Sequence, residues 1–120
     1  MNTTPTKSQY LLLLRQPAGG VPAPAELQKI MVRFGEWIER LNAKGLAPAT
    51  NGLELTGKVL RGRAVTDGPY VEAKEVVGGL VTITAASLDE AVEAAGACPG
   101  LDYAMAVEVR PVHRRPAAPS

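Results

Sequence analysis

Apolar residues recur along this chain with two different periods, one typical of strands and one typical of helices. Residues 10–14 form a continuous apolar run beside glycine and proline breakers, which indicates a central strand buried on both faces. From Ala25 onward, apolar side chains recur every three or four residues until Lys44 and Gly45, as expected of one long helix. The predicted buried face of this helix comprises Leu27, Ile30, Met31, Phe34, Trp37, Ile38 and Leu41.

The middle of the chain carries β-compatible side chains. Residues 53–55 and 59–65 are separated by a glycine, which favours a hairpin or an irregular strand pair. Residues 76–85 predict another strand, and the adjacent Gly78 and Gly79 indicate a bulge or a close backbone approach near its start. We therefore expect this segment to be mostly β-structure.

The last part of the chain predicts a helix and a closing strand. Ser87 and Glu90 have the spacing of a capping box, so a second helix should begin here and end near residue 97. Residues 103–112 alternate between two faces, as in a half-buried strand. The element order is β-α-β-β-α-β with an extra hairpin, which predicts an α+β fold of the ferredoxin-like split βαβ type.

The predicted sheet has one face without cover. Two helices can cover only one face of such a sheet, whereas the first strand is apolar on both sides. The simplest cover for the second face is the same face of another subunit. We therefore expect a homodimer related by a two-fold axis.

Composition restricts the chain to one domain and excludes several partners. Its 120 residues, 46% of them apolar, suffice for one core, which we place at residues 8–113 between flexible tails at 1–7 and 114–120. A formal charge of +1 and few aromatic residues argue against nucleic-acid binding. The apolar run at the start is too short for a membrane span, and a single cysteine excludes an internal disulfide, so we expect a cytoplasmic protein.

Candidate chemistry is concentrated at one stiff turn. Asp67 precedes a Gly-Pro pair, and because proline has no N–H, the carboxylate cannot close the usual Asx turn and needs another partner. On an extended segment Tyr70, Glu72 and Lys74 would lie on one side, next to Asp67. Arg110 or Glu108 of the last strand could face the same cavity. The sequence leaves two interpretations open: an acid–base site, and an ion-pair network that only holds the hairpin or the dimer.

Neither a cofactor nor a metal is expected. Residues 52–58 match the spacing of a Walker A loop, but Val59 stands where Ser or Thr would bind magnesium, and the segment opens no helix. His, Asp and Glu show no metal-ligand spacing, and His113, the only histidine, lies in the closing tail. Cys98, before a proline, is expected to be a small buried apolar residue rather than a nucleophile.

Several short motifs occur together in this chain and identify a family. They are Tyr10-Leu11-Leu12-Leu13, Gly52-Leu53, Thr66-Asp67-Gly68-Pro69-Tyr70, Glu72, Lys74-Glu75, Gly78-Gly79, Ser87-Leu88-Asp89-Glu90-Ala91, Cys98-Pro99 and Glu108-Val109-Arg110-Pro111-Val112. With them the chain resembles the YCII-related proteins, specifically the DGPF-domain branch, over nearly its whole length. The resemblance implies a dimeric α/β barrel of two ferredoxin-like subunits with a cleft near Asp67. Tyr70 replaces the phenylalanine of the DGPF motif and adds a hydroxyl group.

The resemblance implies two kinds of function. YCII-like enzymes are associated with a His-Asp pair, for which this chain has no interior histidine, and DGPF relatives are associated with extracytoplasmic-function sigma factors. Our leading hypothesis is a small-molecule cleft lined by Asp67, Tyr70, Glu72 and Lys74, with Asp67 as the candidate general acid or base and Arg110 as a further ligand contact. The alternative is a non-enzymatic interaction or regulatory module. The sequence leaves open whether any reaction is catalysed.

Overall fold

The computed structural model describes residues 7–17, 23–54, 56–69 and 75–113, so the predicted tails lie outside these ranges apart from Lys7. In chain order the described elements are β1 (Ser8–Pro17), α1 (Pro24–Ala43), β2 (Ala49–Gly52), β3 (Gly57–Arg61), β4 (Ala64–Gly68), β5 (Glu75–Ala85), α2 (Leu88–Gly96), a short 3₁₀ helix (Pro99–Tyr103) and β6 (Ala106–Pro111). Neither α-helix in this part of the chain is long and apolar enough to cross a bilayer.

Four of the strands form one antiparallel sheet in the order β2-β5-β1-β6. The apolar run at residues 10–14 lies in β1, between two neighbours, so the prediction of a central strand is confirmed. This order, with α1 after β1 and α2 after β5, is consistent with the ferredoxin-like α+β fold. Strands β3 and β4 pair with each other in a second sheet and form a hairpin, although not between the two segments that the sequence predicted.

The two helices enclose the core on one face of the four-stranded sheet. Tyr10, Leu12 and Leu14 alternate along β1 and are buried beneath the helices. Trp37 of α1 is fully buried, and its Nε1 donates a hydrogen bond of 2.9 Å to the carbonyl oxygen of Ala94, which joins α1 to α2. The other buried residues of this cluster are Leu41, Leu46, Val81, Ile83, Ala85, Ala91, Ala95 and Cys98.

The buried stripe of α1 is narrower than the sequence pattern predicts. Ile30, Trp37 and Leu41 are buried, whereas Leu27 is 41% exposed and Met31 is 62% exposed. At 3.6 residues per turn, the three buried residues lie within about 40° of one another around the helix axis, while Met31 is turned by about 100° from Ile30. The prediction that Leu27 and Met31 face the core is therefore wrong.

The glycine pair of β5 forms both predicted features. Leu14 pairs with Gly79, but the next residue of β1 pairs with Val77, so Gly78 is the extra residue of a bulge. A Cβ atom on Gly79 would lie 3.3 Å from Cδ1 of Leu14 and 3.4 Å from the carbonyl oxygen of Asn51. Gly79 therefore lies close to the Leu14 side chain of β1 and to the backbone of β2.

The capping box of α2 is also confirmed. Oγ of Ser87 accepts a hydrogen bond from the backbone N–H of Glu90 at 3.1 Å. The carboxylate of Glu90 accepts one from the backbone N–H of Ala86 at 2.8 Å. Both side chains thus bind N–H groups at the start of the helix that lack a partner within the helix.

The middle strands begin and end at other residues than predicted. β2 ends at Gly52, before the predicted strand at residues 53–55, which is not a strand where the structure describes it. The hairpin turn lies at Gly62 and Arg63, inside the predicted strand at residues 59–65. Gly62 has a φ of +63°, a left-handed conformation that glycine adopts readily, and this reverses the chain.

The last strand starts later than predicted. Residues Pro99–Tyr103 form the 3₁₀ helix, and Ala104 then adopts a left-handed φ of 63°, so β6 begins only at Ala106. The predicted apolar face of this strand is confirmed, because Val107 and Val109 pack against the core.

Candidate functional site

The sheet face opposite the helices, which we call the open face, carries the candidate site. The registers of β1 with β5 and β6 place Leu11, Leu13 and Leu80 on this face. Each of the three is half-buried, in contrast to the fully packed residues that alternate with them. The open face is therefore apolar at its centre and partly accessible to solvent.

Three charged side chains, the charged cluster, lie on the open face beside these leucines. Nε and Nη2 of Arg15 lie 2.9 and 2.8 Å from the same carboxylate oxygen of Glu108. Nε of Arg110 lies 3.8 Å from the other oxygen, which is too long for a hydrogen bond but close enough for attraction between the charges. The side chains of Arg15 and Glu108 are only 27% and 38% exposed, so their ion pair is partly shielded from water.

Strand alternation explains why these residues meet. Leu13 pairs with Glu108 and Leu11 pairs with Arg110 across β1 and β6, so both charged residues share the face of the two leucines. Arg15 follows Leu13 by two residues on the same side of β1, and reaches Glu108 diagonally. The charged cluster therefore lies along the β6 edge of the open face.

The charged cluster can bind an acidic group. It contains two guanidinium groups and one carboxylate, so its net charge is positive. Arg15 is hydrogen-bonded to Glu108, whereas the side chain of Arg110 is 67% exposed and makes only the long contact among the described residues. A guanidinium with unused N–H donors matches the geometry of a carboxylate or phosphate.

Asp67, the predicted acid or base, lies on the β3–β4 hairpin. It pairs with Lys58 across the hairpin, and Nζ of Lys58 lies 2.5 Å from its Oδ1. The side chain of Lys58 is 66% exposed and that of Asp67 is 90% exposed. An ion pair this exposed contributes only about 0–1 kcal/mol to stability.

The end of the hairpin at Asp67 is sterically constrained. Gly68 lies opposite Gly57, and a Cβ atom on Gly68 would lie 2.9 Å from Cγ2 of Val59. Valine is stiff about χ1, so it could not easily move away. Pro69 follows through a cis peptide bond.

The structure describes two of the five predicted site residues, and they lie in different elements. Arg110 lies in the charged cluster and Asp67 lies on the hairpin. The residues outside the described ranges are Tyr70, Glu72 and Lys74. Sequence reasoning missed Arg15, although its spacing of two residues from Leu13 places it on the second face of the same strand.

Two other reactive side chains have different surroundings. Cys98 is buried, and burial raises the pKa of its thiol despite the opposing effect of backbone hydrogen bonds from Gly100 and Leu101. The expectation of a buried apolar residue is therefore confirmed. His113 lies after β6 and is exposed. In the described part of the chain, no group of three His, Cys, Asp or Glu side chains is placed to hold a metal ion.

Comparison with known proteins gives the family. The sequence matches the YCII-related domain over residues 9–114, so the protein belongs to the YCII-related family. No curated protein matches the sequence. The match covers the fold described above from the second residue of β1 to the end of β6.

Proposed function

We propose that this protein is a homodimer of the DGPF branch of the YCII-related family and that it binds a small molecule with an acidic group. The cleft lies where the open faces of two subunits meet, near the turn that follows Asp67. The single observation that supports this function best is the charged cluster of Arg15, Glu108 and Arg110 on a sheet face that is otherwise apolar at its centre.

The half-buried leucines support the dimer. Leu11, Leu13 and Leu80 lie side by side on adjacent strands, so together they form a continuous apolar surface. The same surface of a second copy would bury them without exposing new apolar area. Two such sheets packed face to face would be separated by about 10 Å, which leaves room for side chains and a small ligand.

The charges support a ligand rather than a purely structural interface. Burying a charge is unfavourable unless the charge is paired and hydrogen-bonded. Arg15 and Glu108 satisfy each other, but Arg110 would bring an additional positive charge into the interface. A carboxylate or phosphate on the ligand would neutralise this charge and accept its N–H donors.

Asp67 is the proposed general acid or base of the site. Its carboxylate is held by Lys58, and enclosure between two subunits would strengthen this interaction because the local dielectric would fall. Tyr70 and Lys74 are the proposed polar and cationic contacts, with Glu72 on the same side. Asp67 also lines the cleft and contributes to binding, and proton transfer by its carboxylate would follow binding of the ligand.

Native mass spectrometry of freshly purified protein tests the proposal, because it reports the subunit number and any retained molecule together. We expect a dimer that carries a small acidic molecule. Arg110→Gln should remove the retained molecule and leave the dimer intact. Arg40→Gln is the matched control, because Arg40 is an exposed arginine in the last turn of α1 on the helical side of the molecule.

Two results would contradict the proposal. A monomer in the wild-type spectrum would remove the cleft itself. A dimer whose bound molecule is retained equally by Arg110→Gln and Arg40→Gln would show that the charged cluster is not the binding site.

A second candidate function is a non-enzymatic interaction or regulatory module, in the sigma-factor setting of DGPF relatives. The observation that favours it is the exposed Asp67–Lys58 pair, which lies on the hairpin surface. A dimer that retains no molecule in any preparation would favour this candidate over the first.

A further inference from the structure

The β3–β4 hairpin presents an apolar pair to solvent. Leu60 and Val65 are directly opposite each other, and their exposed fractions are 70% and 59%. A two-stranded hairpin is at best marginally stable in water unless a further strand or a helix packs against it. The hairpin therefore needs a surface that covers this pair.

Helix α2 presents a matching apolar strip. Leu88 and Val92 are 45% and 51% exposed, and their spacing of four residues makes them neighbours on a partly exposed strip of the helix, which we call the outer strip. The adjoining side of α2 is packed on the sheet, because Ala91, Ala94 and Ala95 are buried in the core. The outer strip of α2 is thus available to another element.

The two surfaces are also complementary in charge. The hairpin carries the basic residues Lys58, Arg61 and Arg63 and one acidic residue, Asp67, which pairs with Lys58, so its net charge is positive. Helix α2 carries three acidic residues, Asp89, Glu90 and Glu93, and no basic one. Opposite charges around an apolar centre favour association and select the correct partner surface.

The topology separates these surfaces within one chain. The hairpin follows β2, which ends beside Gly79 near the start of β5. Helix α2 follows Ala85 at the opposite end of β5. A two-fold axis perpendicular to the strands brings opposite ends of two sheets together, so the hairpin of one subunit meets α2 of the other.

We propose that the β3–β4 hairpin is an arm that packs on the outer strip of α2 in a second copy of this chain. Leu60 and Val65 lie against the partner's Leu88 and the partner's Val92, and the net positive charge of the arm lies near the acidic residues of the helix. The arm rests on the proposed homodimer but on different residues from the open face, so each contact can fail separately.

Disulfide trapping tests the arm. A disulfide forms only where two Cα atoms come within about 4.4–6.8 Å. The test variants combine Leu60→Cys with Val92→Cys, or Leu60→Cys with Leu88→Cys, and Leu60→Cys with Val32→Cys is the control. Val32 is an equally exposed apolar residue on α1. The native Cys98 is buried, so the unmodified chain gives the background.

We expect at least one hairpin–α2 variant to migrate largely as a covalent dimer on a non-reducing gel, while the control and each single variant stay monomeric on the gel. A disulfide within one chain, or equal trapping in the control, would overturn the arm. Absence of trapping in a protein that light scattering shows to be dimeric would overturn the arm and leave the open-face dimer. A monomer by light scattering would overturn both.

Discussion

At the scale of single residues, the stability of the helical face depends more on Trp37 than on Phe34. Trp37 is fully buried and hydrogen-bonded to Ala94, whereas Phe34 is half-buried and contacts the Trp37 ring edge-on at a centroid distance of 5.9 Å. Trp37→Ala should lower the free energy of unfolding by about 3–5 kcal/mol. Phe34→Ala should lower it by about 1–3 kcal/mol. Urea denaturation of both variants shows which one loses more free energy of unfolding. A larger loss for Phe34→Ala than for Trp37→Ala would contradict this packing.

Asp67 also gives a prediction at the residue scale. Its ion pair with Lys58 is exposed, so Asp67→Asn should change the free energy of unfolding by less than about 1 kcal/mol. The proposed function requires that the same variant retain less of the bound small molecule. Asp102→Asn is the control, because Asp102 is an exposed acid paired with Arg33 away from the open face.

Thermal melting and native mass spectrometry on the two variants separate the roles of Asp67. Equal ligand retention in Asp67→Asn and Asp102→Asn would leave Asp67 as a surface residue of the hairpin. A loss of stability well above 1 kcal/mol in Asp67→Asn alone would show that it holds the turn.

At the scale of elements, the close approach of β1, β2 and β5 depends on Gly79. A side chain at this position would press on Leu14 and on the backbone of Asn51, so Gly79→Ala should destabilise the fold by about 1–3 kcal/mol. Gly35 in α1 has open space around it, and Gly35→Ala should stabilise the fold by about 0.5–1 kcal/mol. Opposite shifts in the chemical denaturation midpoint are expected, and shifts in the same direction would contradict the strand packing.

The elements differ in how well the sequence predicted them. The central strand, the extent of α1 and the capping box have strong local signals, and the structure confirms all three. β2 was missed because residues 49–52 include no large apolar side chain, and every one of them is exposed. The turn at Gly62 was missed because the apolar residues on both sides of it look like one strand.

The candidate site was predicted less well than the fold, for a physical reason. Arg110 could be suggested from alternation along one strand, but its proximity to Arg15 depends on the register between β1 and β6, which join residues far apart in sequence. Local patterns carry no such information. The prediction that Leu27 and Met31 are buried failed for a similar reason. A helical pattern does not show how wide a stripe of the helix the sheet will cover.

At the scale of the whole molecule, one surface connects the fold to the proposed function. The open face carries both the leucines that would join two subunits and the charged cluster that would bind the ligand. Because Leu13 is only half-buried in the single chain, a charge at this position should disrupt the interface without unfolding the subunit. Leu13→Asp therefore separates association from folding.

The most direct test of the account is the molar mass by size-exclusion chromatography with light scattering at micromolar concentration. We expect the wild-type protein to have twice the chain mass of 12.6 kDa, and Leu13→Asp to have the single mass with an unchanged circular dichroism spectrum. A wild-type mass of 12.6 kDa, or a Leu13→Asp variant that stays dimeric, would contradict the open-face dimer.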